Sequence, residues 1–127
     1  MDTEREQLAA SAVLGCDPID VETISETIRR ALRLGSGRPD PAELAAAQEE
    51  LKGHLALLIP LARREARRLR RRGDETQARE LAARLDGTEH RAAQELRPDV
   101  LAAHVQIGHL TRDCQYLLAT HTAADWR

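Results

Sequence analysis

Apolar side chains recur every three or four residues along most of the chain, the spacing that places them on one face of an α-helix. The pattern predicts four main helices: one that runs to Leu34, a long one from Pro41 to Gly73, one from Asp74, and a last one after Pro98. The inner faces of these helices are predicted to carry Val21, Ile24, Ile28, Ala31 and Leu32; Leu44, Gln48, Leu51, Leu55, Leu58, Ala62, Glu65 and Leu69; Ala78, Leu81, Ala82 and Leu85; and Val100, Ala103, Ile107, Leu110, Cys114, Leu117 and His121.

Capping residues and prolines mark where these helices begin. Asp17-Pro18 and Asp40-Pro41 each place an N-cap acid before a first-turn proline, and residues 35–41 between two helices are predicted to be a loop. Thr3 with Glu6 has capping-box spacing, which predicts a short additional N-terminal helix within residues 1–16. Gly87 either ends the third helix or bends it, with Thr88 then capping a continuation to about residue 97.

Composition agrees with a helical protein. The chain has 127 residues, no phenylalanine, one tryptophan and one tyrosine, and it is rich in the helix formers Ala, Leu, Arg and Glu. This length is typical of one domain. We therefore predict a single all-α domain over residues 1–127, an antiparallel four-helix bundle with a short N-terminal helix.

A run of basic residues, "REARRLRRRGDE", interrupts an otherwise balanced charge distribution with a formal net charge of -2. On a helix these arginines fill one arc of roughly 200 degrees, opposite the apolar face. The favoured interpretation is a solvated helix face, and the alternative is a patch for an anionic partner. The patch consists of Arg63, Arg64, Arg67, Arg68, Arg70, Arg71 and Arg72. Nucleic acid is disfavoured because the net charge is negative and no aromatic side chain interleaves the run.

Residues 75–97 also have a loose likeness to a helix-turn-helix, with a small turn at Gly87 and a second helix capped by Thr88. Such a segment needs two helices at a steep angle. A DNA-binding regulator is kept as a further alternative on that condition.

No catalytic or metal-binding motif is present, so an enzyme is disfavoured and no cofactor or metal is expected. Glu50 with His54 and His109 with Asp113 each lie one turn apart, but isolated pairs of this kind are usually surface hydrogen bonds. The polar residues Gln48 and Glu65 on an apolar face must find partners.

A small-molecule pocket between the helices is the alternative to a purely structural interpretation. Its candidate residues are Gly53, His54, Gly108 and Cys114, since the two glycines leave room and the other two carry polar atoms near the inner faces. Cys114 is more simply explained as a small buried thiol.

Two segments, "LKGHLALLIPLARREARRL" and "LTRDCQYLLATH", resemble a family of small actinobacterial helical proteins of unknown molecular function that is associated with natural product biosynthesis. The resemblance covers about half of the chain. It is carried by Leu51, Gly53, His54, Leu55, Leu57, Leu58, Pro60, Ala66 and Leu69, and by Leu110, Arg112, Cys114, Leu117, Leu118 and His121. It implies a helical accessory protein and supplies no catalytic residue.

The sequence therefore predicts a non-catalytic accessory or regulatory protein that acts through protein-protein interaction. A homodimer is expected because Leu101 and Val105 are apolar but lie off the inner face of the last helix. The absence of a leader pattern, of paired cysteines and of a long apolar run favours a reduced, cytoplasmic protein without a membrane segment. A small-molecule binder or cofactorless enzyme remains the alternative.

Overall fold

The structure, a computed structural model, describes residues 19–34 and 37–125. These residues form four helices: α1 over Val21–Leu34, α2 over Pro41–Arg71, α3 over Glu75–Ala92 and α4 over Val100–Asp125. The all-helical class is confirmed, and the described residues contain no strand. The predicted N-terminal helix and the Asp17-Pro18 start signal lie outside the described residues.

Side-chain caps start three of the helices. The carboxylate of Asp40 accepts the backbone N–H of Glu43 at 2.8 Å ahead of Pro41, as the sequence predicts. Asp99 accepts from the N–H of Ala102 at 2.9 Å. The predicted start of the first helix at Pro18 is wrong, because the helix begins at Val21. Asp20 is its N-cap and accepts the N–H of Thr23 at 3.0 Å.

The turn between α2 and α3 depends on Gly73. Its φ of 89° lies in the left-handed region, where only glycine is unstrained. This conformation lets the N–H of Asp74 reach the carbonyl of Leu69 at 2.9 Å and the N–H of Gly73 reach that of Arg70 at 3.1 Å. The two bonds form a Schellman motif, which satisfies carbonyls left over at the end of α2.

The core lies between all four helices, with α2 and α4 at its centre. These two long helices contact each other, and each also contacts α1 and α3, whereas α1 and α3 do not touch within the described part of the chain. The buried apolar residues are Ile19, Ile24, Ile28, Ala31, Leu44, Leu51, Leu55, Leu58, Ala62, Ala66, Leu69, Ala78, Leu81, Leu85, Ala103, Ile107, Leu110, Cys114, Leu117 and Leu118.

Three residues assigned to inner faces are exposed instead: Val21, Leu32 and Val100. Each lies at an end of its helix, where the neighbouring helices no longer cover the predicted face. The chain also buries polar side chains that periodicity does not reveal, namely Thr27, Thr88, Thr111 and Asp113.

The third helix is continuous through Gly87, which settles whether that glycine ends the helix. Thr88 does not cap a second helix. It lies within α3, and its side chain is fully buried. The two-helix arrangement that a helix-turn-helix at residues 75–97 requires is therefore wrong. The long helix α2 likewise continues past Pro60 without a break.

No helix within residues 19–34 and 37–125 has both the length and the apolar character needed to cross a membrane.

Two glycines in and beside α2 should respond oppositely to alanine. Gly73→Ala forces a left-handed conformation on a residue with a Cβ and should lower the free energy of unfolding by about 1 kcal/mol. Gly53→Ala should raise it by about 0.5–1 kcal/mol, because Gly53 is exposed within the helix and a Cβ there meets nothing within 4 Å. Urea unfolding of both variants tests this; a stabilising Gly73→Ala would contradict the turn geometry.

Candidate functional site

Chemically active side chains in the described residues gather at two places, one on each side of the central α2–α4 pair. The first lies between α1 and α2 and centres on Thr27 and His54. The second lies between α3 and α4 and centres on Asp113.

At the first place, His54 and Thr27 meet across the helix pair. The Nε2 of His54 lies 2.9 Å from the Oγ1 of Thr27, whose side chain is buried. Thr27 Oγ1 is also 3.2 Å from the carbonyl of Thr23 and 3.4 Å from Glu50 Oε2. One hydroxyl proton serves only one of these acceptors. With His54 Nε2–H donating to Thr27, and Thr27 donating to the Thr23 carbonyl, the shared hydroxyl both accepts and donates.

Arg30 closes this network at the surface. Its guanidinium approaches Glu50 Oε2 at 2.9 Å and Thr27 Oγ1 at 3.4 Å, so one cation joins both helices. Burial lowers the pKa of His54, and Arg30 acts in the same direction, whereas the carboxylates of Glu50 and Asp20 oppose the shift. The folded protein therefore favours neutral His54 at this contact.

A cleft opens beside the network, between the second half of α1 and the first half of α2. It has a volume of about 450 Å³. Its walls carry charges of both signs, and its floor is made of small side chains. The lining residues are Thr27, Arg30, Ala31, Arg33, Leu34, Glu43, Ala46, Ala47 and Glu50.

The second place is a buried carboxylate held by two arginines. Asp113 is 1% exposed and accepts two hydrogen bonds from Arg91, at 2.7 and 2.8 Å. Arg84 Nε approaches the same carboxylate at 3.3 Å, without the alignment of a hydrogen bond. The Arg84 guanidinium also lies 4.6 Å from the ring centre of Tyr116. These contacts join α3 to α4 and use both oxygens of the acid.

The four residues predicted to form a pocket lie in different environments. Gly53 is exposed on α2, and His54 is half-buried against Thr27. Gly108 lines a groove of about 360 Å³ between α1 and α4. Cys114 is fully buried, its thiol 3.7 Å from the carbonyl oxygen of Leu51 and its pKa raised to about 12 by burial. The Cys114 thiol is therefore protonated and shielded.

Part of the arginine run is engaged with acids. Arg63 bonds to Asp86 at 2.8 Å and to Glu89 at 2.6 Å, which ties α2 to α3. Arg68 pairs with Glu65 at 2.6 Å, which also gives Glu65 its partner. Arg70 and Arg72 lie 3.6 and 3.7 Å from acids at the turn. The exposed residues Arg64, Arg67 and Arg71 form the outward stripe of the run.

Metal ligands do not cluster in the described parts of the chain: no group of three or more His, Cys, Asp or Glu side chains is placed to hold an ion. The sequence had paired Asp113 with His109, but the carboxylate turns to Arg91 and Arg84. Sequence reasoning noted Glu50 beside His54 and missed Thr27 and Arg30. Sequence spacing reveals residues that are neighbours on one helix, such as Glu50 and His54. Thr27 and Arg30 contact them from another helix, which spacing does not reveal.

An exposed apolar strip follows the outer side of α4. Leu101 is 72% exposed and Val105 54% exposed, and Leu32 of α1, 53% exposed, lines the same groove as Val105. We call Leu32, Leu101, Val105 and Gly108 the α4 face.

Comparison with known proteins adds a family and no chemistry. Residues 22–126 match the profile of a family of unknown function, DUF6415. No curated protein and no solved structure is similar enough to match.

The lowered pKa of His54 makes the free energy of unfolding fall as the pH falls. The unfolded chain binds a proton near the ordinary pKa of 6.5, whereas folded His54 resists protonation. The stabilising contribution is therefore complete above that value and is lost as the pH falls below it. From about pH 7.5 to about pH 5, the wild type should lose more unfolding free energy than His54→Gln. Urea titrations at both pH values test this; equal losses would contradict it.

Two aspartates provide a matched test of the buried network. Asp113→Asn removes a charge that Arg91 and Arg84 share, and it should cost about 2 kcal/mol, below the range for a fully buried pair because both arginines reach solvent. Asp86→Asn, at an exposed acid paired with Arg63, should cost less than about 1 kcal/mol. Equal losses in thermal or urea unfolding would show that the Asp113 network contributes little.

Proposed function

We propose that this chain, which belongs to the DUF6415 family, is a non-catalytic interaction module that pairs with a second copy of itself through the α4 face. The observation that carries the proposal is the exposure of Leu101 and Val105 one turn apart on α4. Exposed apolar side chains that adjoin one another are typical of binding surfaces, because their burial against a partner releases water from apolar area.

The shape of the strip favours a second copy as the partner. Leu101, Val105, Gly108 and Arg112 fall within about 60 degrees on one side of α4. Two antiparallel α4 helices whose crossing point lies between His104 and Val105 bring Leu101 of one copy opposite Gly108 of the other, twice by symmetry. A Cβ at Gly108 would meet nothing within 4 Å, so the glycine leaves a hollow for the leucine. Such self-complementarity is what a twofold interface needs.

The proposal also includes the antiparallel arrangement of the helices and the biological role of the protein. Contacts between Gln48 and Gln94, and between Arg91 and Asp113, support helices that alternate in direction along the chain. An accessory or regulatory role in natural product biosynthesis, inside the cytoplasm, rests on the resemblance of the two segments and on composition.

Leu101→Asp tests the dimer. The wild type should sediment as a dimer at micromolar concentration, and the variant should dissociate with a Kd at least about tenfold higher, because a carboxylate replaces a central apolar contact. Leu57→Asp is the matched control: Leu57 is also an exposed leucine, but it lies on α2, and its variant should dimerise like the wild type.

Gly108→Leu distinguishes the proposed dimer from nonspecific hydrophobic association. The added side chain has open space in the monomer and should leave folding intact, yet it fills the hollow proposed for Leu101 and should weaken the dimer. A stronger dimer in Gly108→Leu would contradict the proposed register. A wild type that remains monomeric by analytical ultracentrifugation overturns the proposal.

A further inference from the structure

The cleft between α1 and α2 exists because small side chains face each other there. Ala31 of α1 lies opposite Ala46 and Ala47 of α2, where larger residues would fill the space between two helices. The resulting volume of about 450 Å³ lies within the range of about 300–1,000 Å³ typical of small-molecule sites. The cleft and the α4 face lie on different sides of α1, although Ala31 lines both the cleft and the groove beside the α4 face.

The two walls of this cleft carry opposite charges. Arg30 and Arg33 line it from α1, and Glu43 and Glu50 line it from α2. Glu50 is occupied by Arg30 at 2.9 Å, whereas Glu43 makes no ion pair among the described residues and faces the cleft from the first turn of its helix. Arg33 lies 3.6 Å from Glu26, which is outside the lining of the cleft. An occupant thus meets two arginines that are already paired with acids on one wall, the carboxylate of Glu43 on the other and methyl groups between them.

We propose that this cleft binds a small zwitterionic molecule of the amino-acid class with an apolar side chain. Its carboxylate accepts hydrogen bonds from Arg33 and Arg30, its ammonium group donates to Glu43, and its side chain lies on the alanines. The guanidinium groups suit a carboxylate because their N–H donors match both oxygens.

The Thr27 network holds one wall of the site in place before any ligand arrives. Arg30 donates to Glu50 Oε1 at 3.4 Å and to Thr27 Oγ1 at 3.4 Å, and Thr27 is in turn fixed by His54 at 2.9 Å. A long arginine side chain normally loses rotamer entropy on binding. These contacts reduce that loss, because Arg30 is already positioned at the mouth.

Titration of the ¹⁵N-labelled protein with L-leucine, followed by amide chemical shifts, tests the proposal. Leucine should shift the amides of residues 27–34 and 43–50. Leucinamide keeps the ammonium group and N-acetyl-L-leucine keeps the carboxylate; each should bind at least about tenfold more weakly, because each loses one charge-assisted contact. These analogues also separate a free amino acid from a peptide end, which offers only one of the two charges.

Variants test which charge of the ligand each wall of the cleft binds. Arg33→Gln should weaken leucine binding and remove the advantage of leucine over leucinamide, and Glu43→Gln should remove its advantage over N-acetyl-L-leucine. Ala46→Leu fills the cleft from an exposed position, so it should abolish binding with no loss of helix content by circular dichroism. Arg79→Gln is the control, because Arg79 lies on α3 and pairs with Glu75 away from the cleft.

Three results would overturn the proposal: no shifts with leucine at millimolar concentration, shifts confined to other helices, or equal binding of all three probes. The dimer variant Leu101→Asp should bind leucine like the wild type. Failure of the cleft and failure of the dimer are therefore separate outcomes.

Discussion

The packing of α2 against α4 is the contact on which the rest of the molecule depends. The two helices approach closely enough for the Cys114 thiol to meet the backbone carbonyl of Leu51. A small side chain at position 114 permits this approach, and a larger one would push the helices apart. Leu55, Leu58, Leu110 and Leu117 extend the same dry seam. With the seam formed, α1 and α3 each attach across both long helices without touching each other.

Polar contacts then decide how each outer helix sits on the central pair. Apolar packing tolerates several orientations of a helix, whereas a paired buried polar group has few acceptable positions. Thr27 with His54 positions α1 on α2, and Asp113 with Arg91 positions α3 on α4. Arg63 adds a second tie between α2 and α3 at the surface. The outer helices are thus placed by a few specific bonds, and the spaces left beside them follow from that placement.

Periodicity predicted the central seam well because it is a property of one helix at a time. The predicted positions from Leu44 to Leu69 are buried except for Glu65, which is half-buried, those from Ala103 to Leu117 are buried as their spacing indicates, and Asp40 caps α2. It failed where another helix decides the outcome. Leu32 is apolar but exposed, Thr88 is polar but buried, and the partners of Asp113 come from α3. The role of Gly87 could not be predicted from its neighbours, because glycine is common at helix ends and is also tolerated within helices. The candidate site was predicted only in part: His54 and Glu50 were singled out, but Thr27 was missed because it joins His54 from another helix.

Helix α1 connects the two proposed surfaces, since Leu32 stands at the α4 groove and Arg33 lines the cleft on the other side. Adjacent residues of a rigid helix move together. A ligand that draws Arg33 toward α2 would therefore shift Leu32 relative to Val105. By linkage, any factor by which the ligand changes dimer affinity is the factor by which dimerisation changes ligand affinity. The size of that factor depends on how far α1 can move while Thr27 stays bonded to His54. A short, half-buried contact of this kind permits only small displacements, so the coupling between cleft and dimer is expected to be weak.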